Sequence, residues 1–189
     1  MKKEDIPNLI SVLRIFLSVP VVWMLLEQSF TIALVLFAIA GISDGLDGFL
    51  AKHYGWESYL GGILDPLADK VLLVSSYLSL ALIGAIPVWL VLLVTLRDLV
   101  IVTGALIYNY RVKQLEVEPS MLSKINTVVQ IFLVLAVVLE KGMMELPLLL
   151  IQGLVWLVAV TTLVSGVSYV WVWSKRAVRD APGNSSTRH

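Results

Sequence analysis

Six stretches of about twenty apolar residues dominate this chain, each long enough to cross a bilayer core as a helix. They run roughly Asn8–Leu26, Phe30–Lys52, Gly61–Ile83, Pro87–Tyr110, Pro119–Leu139 and Pro147–Trp173. In hydrocarbon every backbone polar group must be satisfied internally, so the runs predict an all-α integral membrane protein of about six transmembrane helices. Pro87, Pro119 and Pro147 stand where helices begin, the position that tolerates proline best. Of the 189 residues, 58% are hydrophobic and 15% charged, at a mean hydropathy of +0.88. One membrane domain over 1–173 and a polar, mobile tail over 174–189 are expected.

Composition excludes several chemistries. Cysteine is absent, which removes disulfides, thiolate catalysis and cysteine zinc sites together. His53 and His189 are the only histidines, so a bound metal must be held by oxygen. With a net charge of zero and no basic stripe, nucleic acid is not a partner. Lys and Arg outside the spans divide unevenly: Lys2, Lys3, Lys52, Arg111, Lys113, Lys124, Lys175, Arg176 and Arg179 fall at one set of ends, and Lys141 alone at the other. That asymmetry predicts both termini in the cytoplasm and spans two and three meeting at the cytoplasmic face. The first span follows a bare start without an Arg-rich leader, which points to a retained span in a bacterial inner membrane.

Beside the cytoplasmic loop lie four aspartates. Asp44 and Asp47 are three residues apart and Asp65 and Asp69 four apart, so each pair shares a helix face. A short antiparallel connection brings all four carboxylates to one depth. Each costs about 2.5–3.5 kcal/mol at mid-membrane, and mutual repulsion adds to that. Lys52, Lys70 and Arg97 offset part of the charge, and a divalent cation offsets more. A single such acid is more often a structural ion pair or a helix cap, as Asp65 before Pro66 could be, but four in two same-face pairs favour a metal site. Gly48 and Gly61 flank the acids. Each alone reads as helix packing, but beside carboxylates they favour a pocket where a nucleotide approaches the backbone.

Asp44, Asp47, Gly48, Ala51, Gly61, Asp65 and Asp69 together resemble the motif of the CDP-alcohol phosphotransferase family, Asp-x-x-Asp-Gly-x-x-Ala-Arg followed by Gly-x-x-x-Asp-x-x-x-Asp. Lys52 stands where the family usually has Arg, which keeps the charge and loses the bidentate fork. The resemblance implies one or two Mg²⁺ or Mn²⁺ ions on Asp44, Asp47, Asp65 and Asp69. It implies a nucleotide site formed by Asp44, Gly48, Ala51, Lys52 and Gly61, and Asp69 as the base that takes the proton of the acceptor alcohol. CDP-diacylglycerol is the implied donor, and a homodimer the implied assembly.

The opening Asn8-Leu9-Ile10-Ser11-Val12-Leu13-Arg14 resembles the phosphatidylglycerophosphate synthase and cardiolipin synthase branches, with Ser11 in place of Thr. Arg14 lies inside the membrane and needs an anionic partner. Arg97-Asp98 follows in span four, and where a further arginine marks the first of those branches this chain has Ala105. Ser123, Thr127 and Gln130 form a polar stripe in span five. These features resemble most the branch whose acceptor is phosphatidylglycerol, with Arg97, Lys124 and Arg14 as acceptor-binding residues. Glycerol 3-phosphate is the alternative acceptor. A transporter with an acidic cation site is the alternative outside enzymes; such sites lie near the midplane of two related halves, whereas these acids cluster at one face. Prenyltransferases carry their acidic motifs further apart than Asp47 and Asp65.

Overall fold

A computed structural model describes residues 5–54, 61–111 and 121–179, all within or between helices. Six α-helices follow in order: α1 Asp5–Leu26, α2 Phe30–Tyr54, α3 Gly61–Leu82, α4 Val88–Arg111, α5 Met121–Gly142 and α6 Leu148–Arg179. They coincide with the six apolar runs. By length and composition alone Leu9–Leu26, Met121–Gly142 and Leu148–Tyr169 can cross a bilayer. The apolar stretch of α2 is shorter, Phe30–Leu46, and already includes Asp44, while α3 carries Asp65, Asp69 and Lys70 and α4 carries Arg97 and Asp98. α6 continues past Trp173 to Arg179, beyond the boundary expected at Ser174. Ser-Lys-Arg-Ala-Val-Arg is polar, but most of these residues are good helix formers.

The turns explain where the helices stop. Gln28 takes a left-handed φ of 58° after α1, and the Ser29 amide donates back to the Met24 carbonyl at 2.9 Å. Gly84 does the same after α3 at φ 73°, with the Ala85 amide on the Leu80 carbonyl at 2.8 Å. Both close otherwise orphaned helix carbonyls in the manner of a Schellman cap. Pro87 and Pro147 directly precede α4 and α6, and their carbonyls accept the first helical bonds, from Leu90 and Leu150.

α1 packs against α2 and, running parallel to it, α3. α5 pairs with α6 and touches α2 and α3, and α4 bridges α3 and α6. Small residues at helical spacing, Ala33 and Ala40 around Phe37, form the buried face of α2. At the end of α5 the backbone of Gly142 comes so close to α2 that an added Cβ would lie 2.7 Å from the Phe30 Cβ. The core joins Val21, Leu25, Tyr77, Leu80, Leu90, Val94, Leu133, Val137 and Val158. Leu13, Phe16, Trp23, Leu92, Phe132, Leu149 and Leu163 face outward and are more than half exposed. An apolar surface of that extent belongs in lipid, so this is the architecture of an integral membrane protein.

The interior also holds polar side chains. Ser11, Arg14, Ser18, Ser76, Ser79, Arg97, Asp98, Asn126, Gln130, Thr162 and Ser165 are all buried. Most gather toward one end of the bundle, where α1, α3 and α5 begin and α2, α4 and α6 finish.

Candidate active site

Helix α1 supplies the pair that organises the acids. Ser11 and Arg14 are three residues apart and therefore share a face. The Ser11 hydroxyl donates to Asp65 Oδ1, at the start of α3. One guanidinium nitrogen of Arg14, NH1, donates to Asp44 Oδ1 of α2 and to Asp69 Oδ1 of α3, both at 2.5 Å. Those two oxygens therefore lie within about twice that distance of each other. The Arg14 side chain is only 1% exposed, whereas Asp44 and Asp69 remain 45% and 48% exposed. The carboxylates thus form a rim open to one side, fixed from within by a buried cation.

Arg14 was expected at an acceptor site, and the structure places it among the acids. Conversely, Lys70 and Arg97 were expected to offset the four aspartates, and both turn to Asp98. Lys70 Nζ lies 2.6 Å from Asp98 Oδ2 and Arg97 NH1 2.7 Å from Asp98 Oδ1. The reason is rotational. Lys70 follows Asp69 by one residue, which turns it about 100° away around α3 toward α4.

Arg97 then ties three helices together. Its NH2 donates to the hydroxyls of Ser123 on α5, at 2.7 Å, and Ser165 on α6, at 2.5 Å, with the Tyr169 ring 6.0 Å away. Lys124, one residue further on α5, is exposed. The inward polar stripe of α5 consists of Ser123, Asn126 and Gln130, with Asn126 rather than Thr127 as its fully buried middle member. Thr161 and Thr162 of α6 donate to Asn126 Oδ1 at 2.8 and 2.9 Å, while Thr127 bonds the Ser123 carbonyl of its own helix. Sequence reasoning passed over the hydroxyls of Ser11 and Ser165. The three-residue spacing of Ser11 and Arg14 was the available signal for the first.

Gly48 lies on α2, and among the described residues nothing stands within 4 Å of where its Cβ would be, so their packing does not require glycine there. This leaves room beside the acids for a flat ligand. Gly61 begins α3. The side chains of Asp47, Ala51 and Lys52 lie outside the described residues.

Among the described residues no three acidic or histidine side chains form a ready metal cage. The donor set nevertheless fits a hard divalent cation. Asp44, Asp65 and Asp69 offer carboxylate oxygen from two adjacent helices at one end of the bundle, and oxygen is what magnesium and manganese prefer. A cation taking the oxygens of Asp44 and Asp69 competes with the Arg14 guanidinium for them.

Comparison with known proteins sharpens the picture. The profile of a family described as CDP-alcohol phosphatidyltransferase matches residues 4–171. The cardiolipin synthase (CMP-forming) of Rattus norvegicus is 36% identical over 87% of this chain and 60% of its own length. A CDP-diacylglycerol–glycerol-3-phosphate 3-phosphatidyltransferase of the rice chloroplast is 35% identical over 87% of the chain and 56% of its length. A probable phosphatidylglycerophosphate synthase of Mycobacterium tuberculosis is 31% identical over 97% of the chain and 86% of its length. The chain thus spans about three fifths of the length of the first of these relatives.

Proposed function

This chain belongs to the CDP-alcohol phosphatidyltransferase family, and from that premise we propose that it transfers the phosphatidyl group of CDP-diacylglycerol to an alcohol, releasing CMP. The observation that carries the reading is the gathering of Asp44, Asp65 and Asp69 from two helices around Ser11 and Arg14, with the rim half exposed. In this reading Asp44, Asp47, Asp65 and Asp69 hold one or two Mg²⁺ or Mn²⁺ ions. Bound metal neutralises the diphosphate and the charge that grows on the departing CMP. Gly48 and Gly61, with Ala51 and Lys52, line the nucleotide site, and the open space at Gly48 supports this.

The proton has a defined destination. The acceptor hydroxyl attacks the phosphorus that bears the diacylglycerol, and Asp69 accepts its hydrogen. A bond from acceptor oxygen to phosphorus forms, and the bond from that phosphorus to the bridging oxygen of CMP breaks, the electron pair leaving with CMP. Asp69 suits the task because half its side chain is exposed while one oxygen stays fixed by Arg14. A base must lie within hydrogen-bond reach of the attacking hydroxyl, and this anchoring limits its wandering.

Phosphatidylglycerol is the preferred acceptor, which gives cardiolipin. The likeness to cardiolipin synthases of rat and human, at 36% and 34% identity, supports this. So does Arg97, whose terminal nitrogens are engaged by Asp98, Ser123 and Ser165 and offer little to a dianionic phosphate. The second reading, with glycerol 3-phosphate as acceptor, is favoured by the longer alignment to the mycobacterial relative. Purified protein given CDP-diacylglycerol, Mg²⁺ or Mn²⁺ and either acceptor decides between them by mass spectrometry of the lipid product. Consumption of glycerol 3-phosphate but not phosphatidylglycerol refutes the preference, and absence of CMP release with both refutes the enzyme. The Lys and Arg asymmetry supports a site facing the cytoplasm with both termini on that side. A homodimer completes the proposal.

A further inference from the structure

Arg14 lies roughly 13 Å along α1 from its start at Asp5. Its neighbours Leu13 and Phe16 face lipid, yet its own side chain is only 1% exposed. It therefore does not snorkel to the headgroups as membrane arginines near helix ends do. The guanidinium cannot shed its charge either, so the charge is met where it lies, by Asp44 and Asp69. One nitrogen, NH1, serves an oxygen from α2 and an oxygen from α3, each 2.5 Å away. A positive point between carboxylates of two neighbouring helices stands where a bridging cation would stand. Its distance to each oxygen is only slightly longer than the ~2.0–2.1 Å of a magnesium–oxygen bond.

The ties around that point are unequal. α1 and α3 run parallel, and Ser11 and Arg14 meet Asp65 and Asp69 in the same order. Among the described residues α1 thus holds the acids of α3 twice, in register, and the acid of α2 once, at Asp44. Paired ties keep Arg14 at Asp69, whereas Asp44 can be released by a small swing of the guanidinium. A divalent ion arriving alone at Asp44 meets the full charge of Arg14. Even at the dielectric constant of water, that repulsion at ~4 Å exceeds a tenfold factor in affinity. A diphosphate arriving with the ion reverses the sign, because it brings anionic oxygen for the guanidinium to turn to.

Resting on the metal reading of the site above, we propose that Arg14 is an internal counter-cation. In the metal-free protein it holds the place between Asp44 and Asp69. When metal and the donor's diphosphate arrive together, it gives up Asp44, keeps Asp69 and offers the freed N–H to a phosphate oxygen. Arg14 thereby disfavours metal without donor and couples the binding of the two. It acts on the metal through Asp44 and is in that respect a positioning residue.

Arg14→Met removes the charge and keeps an unbranched stem. Mn²⁺ is titrated into the detergent-solubilised protein, and the free ion is read by electron paramagnetic resonance. Without lipid, Mn²⁺ should bind the variant at least about tenfold more tightly than the parent. A scaffolding role has the opposite sign, since acids that lose their tether hold an ion less well, so weaker or unchanged binding overturns the proposal. CDP-dioleoylglycerol, added without acceptor, should tighten Mn²⁺ binding to the parent by a larger factor than to the variant. By linkage Mn²⁺ tightens the donor by the same factor in each protein. Equal factors in the two proteins overturn the hand-over to the diphosphate. The parent alone supplies a further check: stripped by a chelator it should still melt in one cooperative transition, and unfolding on chelation refutes the counter-cation. The variant, purified in Mn²⁺, should lose more degrees on chelation than the parent does. A variant that does not fold even in Mn²⁺ makes Arg14 a scaffold and overturns the proposal. Absence of saturable Mn²⁺ binding to both proteins instead overturns the metal reading of the site, and the counter-cation with it.

Discussion

Replacing Asp69 with asparagine separates the chemistry of the site from its architecture. The side chain keeps its volume, and its amide oxygen can still accept from Arg14 NH1 in place of the carboxylate oxygen now 2.5 Å away. Hydrogen bonds to charged groups contribute about 1.5–3 kcal/mol and neutral ones about 0.5–1.5, so the exchange costs roughly 1 kcal/mol. At 48% exposure solvent screens much of even that. The thermal midpoint in detergent should therefore move by only a few degrees. Loss of a general base removes about 10²- to 10⁴-fold in rate, or about 3–5 kcal/mol of barrier. Turnover and stability are thus expected to change on different scales. The assay is CMP release under saturating CDP-diacylglycerol and acceptor, with donor binding measured in parallel by calorimetry. Turnover within tenfold of the parent refutes the assignment, as does a loss explained wholly by weaker donor binding.

Other expectations follow from the same geometry. Asp65→Ala removes a candidate ligand and the acceptor of the Ser11 hydroxyl; CMP release should need several-fold more Mg²⁺ or Mn²⁺, and an unchanged metal titration removes Asp65 from the donor set. Gly48→Val should raise KM for CDP-diacylglycerol while leaving the thermal midpoint near that of the parent, because among the described residues no atom stands within 4 Å of the added Cβ. Gly142→Ala forces α5 and α2 apart at a 2.7 Å backbone-anchored contact and should cost about 1–3 kcal/mol in unfolding measurements. Arg97→Met strips the ties to Ser123 and Ser165. If these ties hold α4 to α5 and α6, each contributing the ~0.6–1.7 kcal/mol seen for membrane hydrogen bonds, a cycle with Ser165→Ala will show coupling of that size.

The helices were legible because hydrophobic run length and proline position are local properties. Pro87 and Pro147 mark the starts of α4 and α6 within one residue. The grouping of Asp65 with Asp69 was legible too, since helical spacing fixes which side chains share a face. What the spacing could not supply was the relative rotation of neighbouring helices. Nothing in Lys70 alone says that it turns toward Asp98, and nothing in Arg14 says that it reaches both α2 and α3. Those pairings depend on the register of α1 against α3, a tertiary quantity. The end of α6 escaped for a different reason: polarity marks where a chain leaves lipid, while helicity follows propensity and runs on to Arg179.

Among the described residues the tight turns lie at one pole. Glu27–Ser29, Ile83–Pro87 and Met143–Pro147 join the helices pairwise there, two of them locked by left-handed caps, and Gly142 clasps α5 to α2 beside them. At the opposite pole α2 and α3 are joined by 55–60 and α4 and α5 by 112–120, and the inter-helix ties there run through side chains such as Arg14 and Arg97. At one pole the described ties are backbone turns and the Gly142–Phe30 contact; around the carboxylates they are single polar side chains, so one substitution at Arg14 or Arg97 unties helices that no single substitution at the other pole would free.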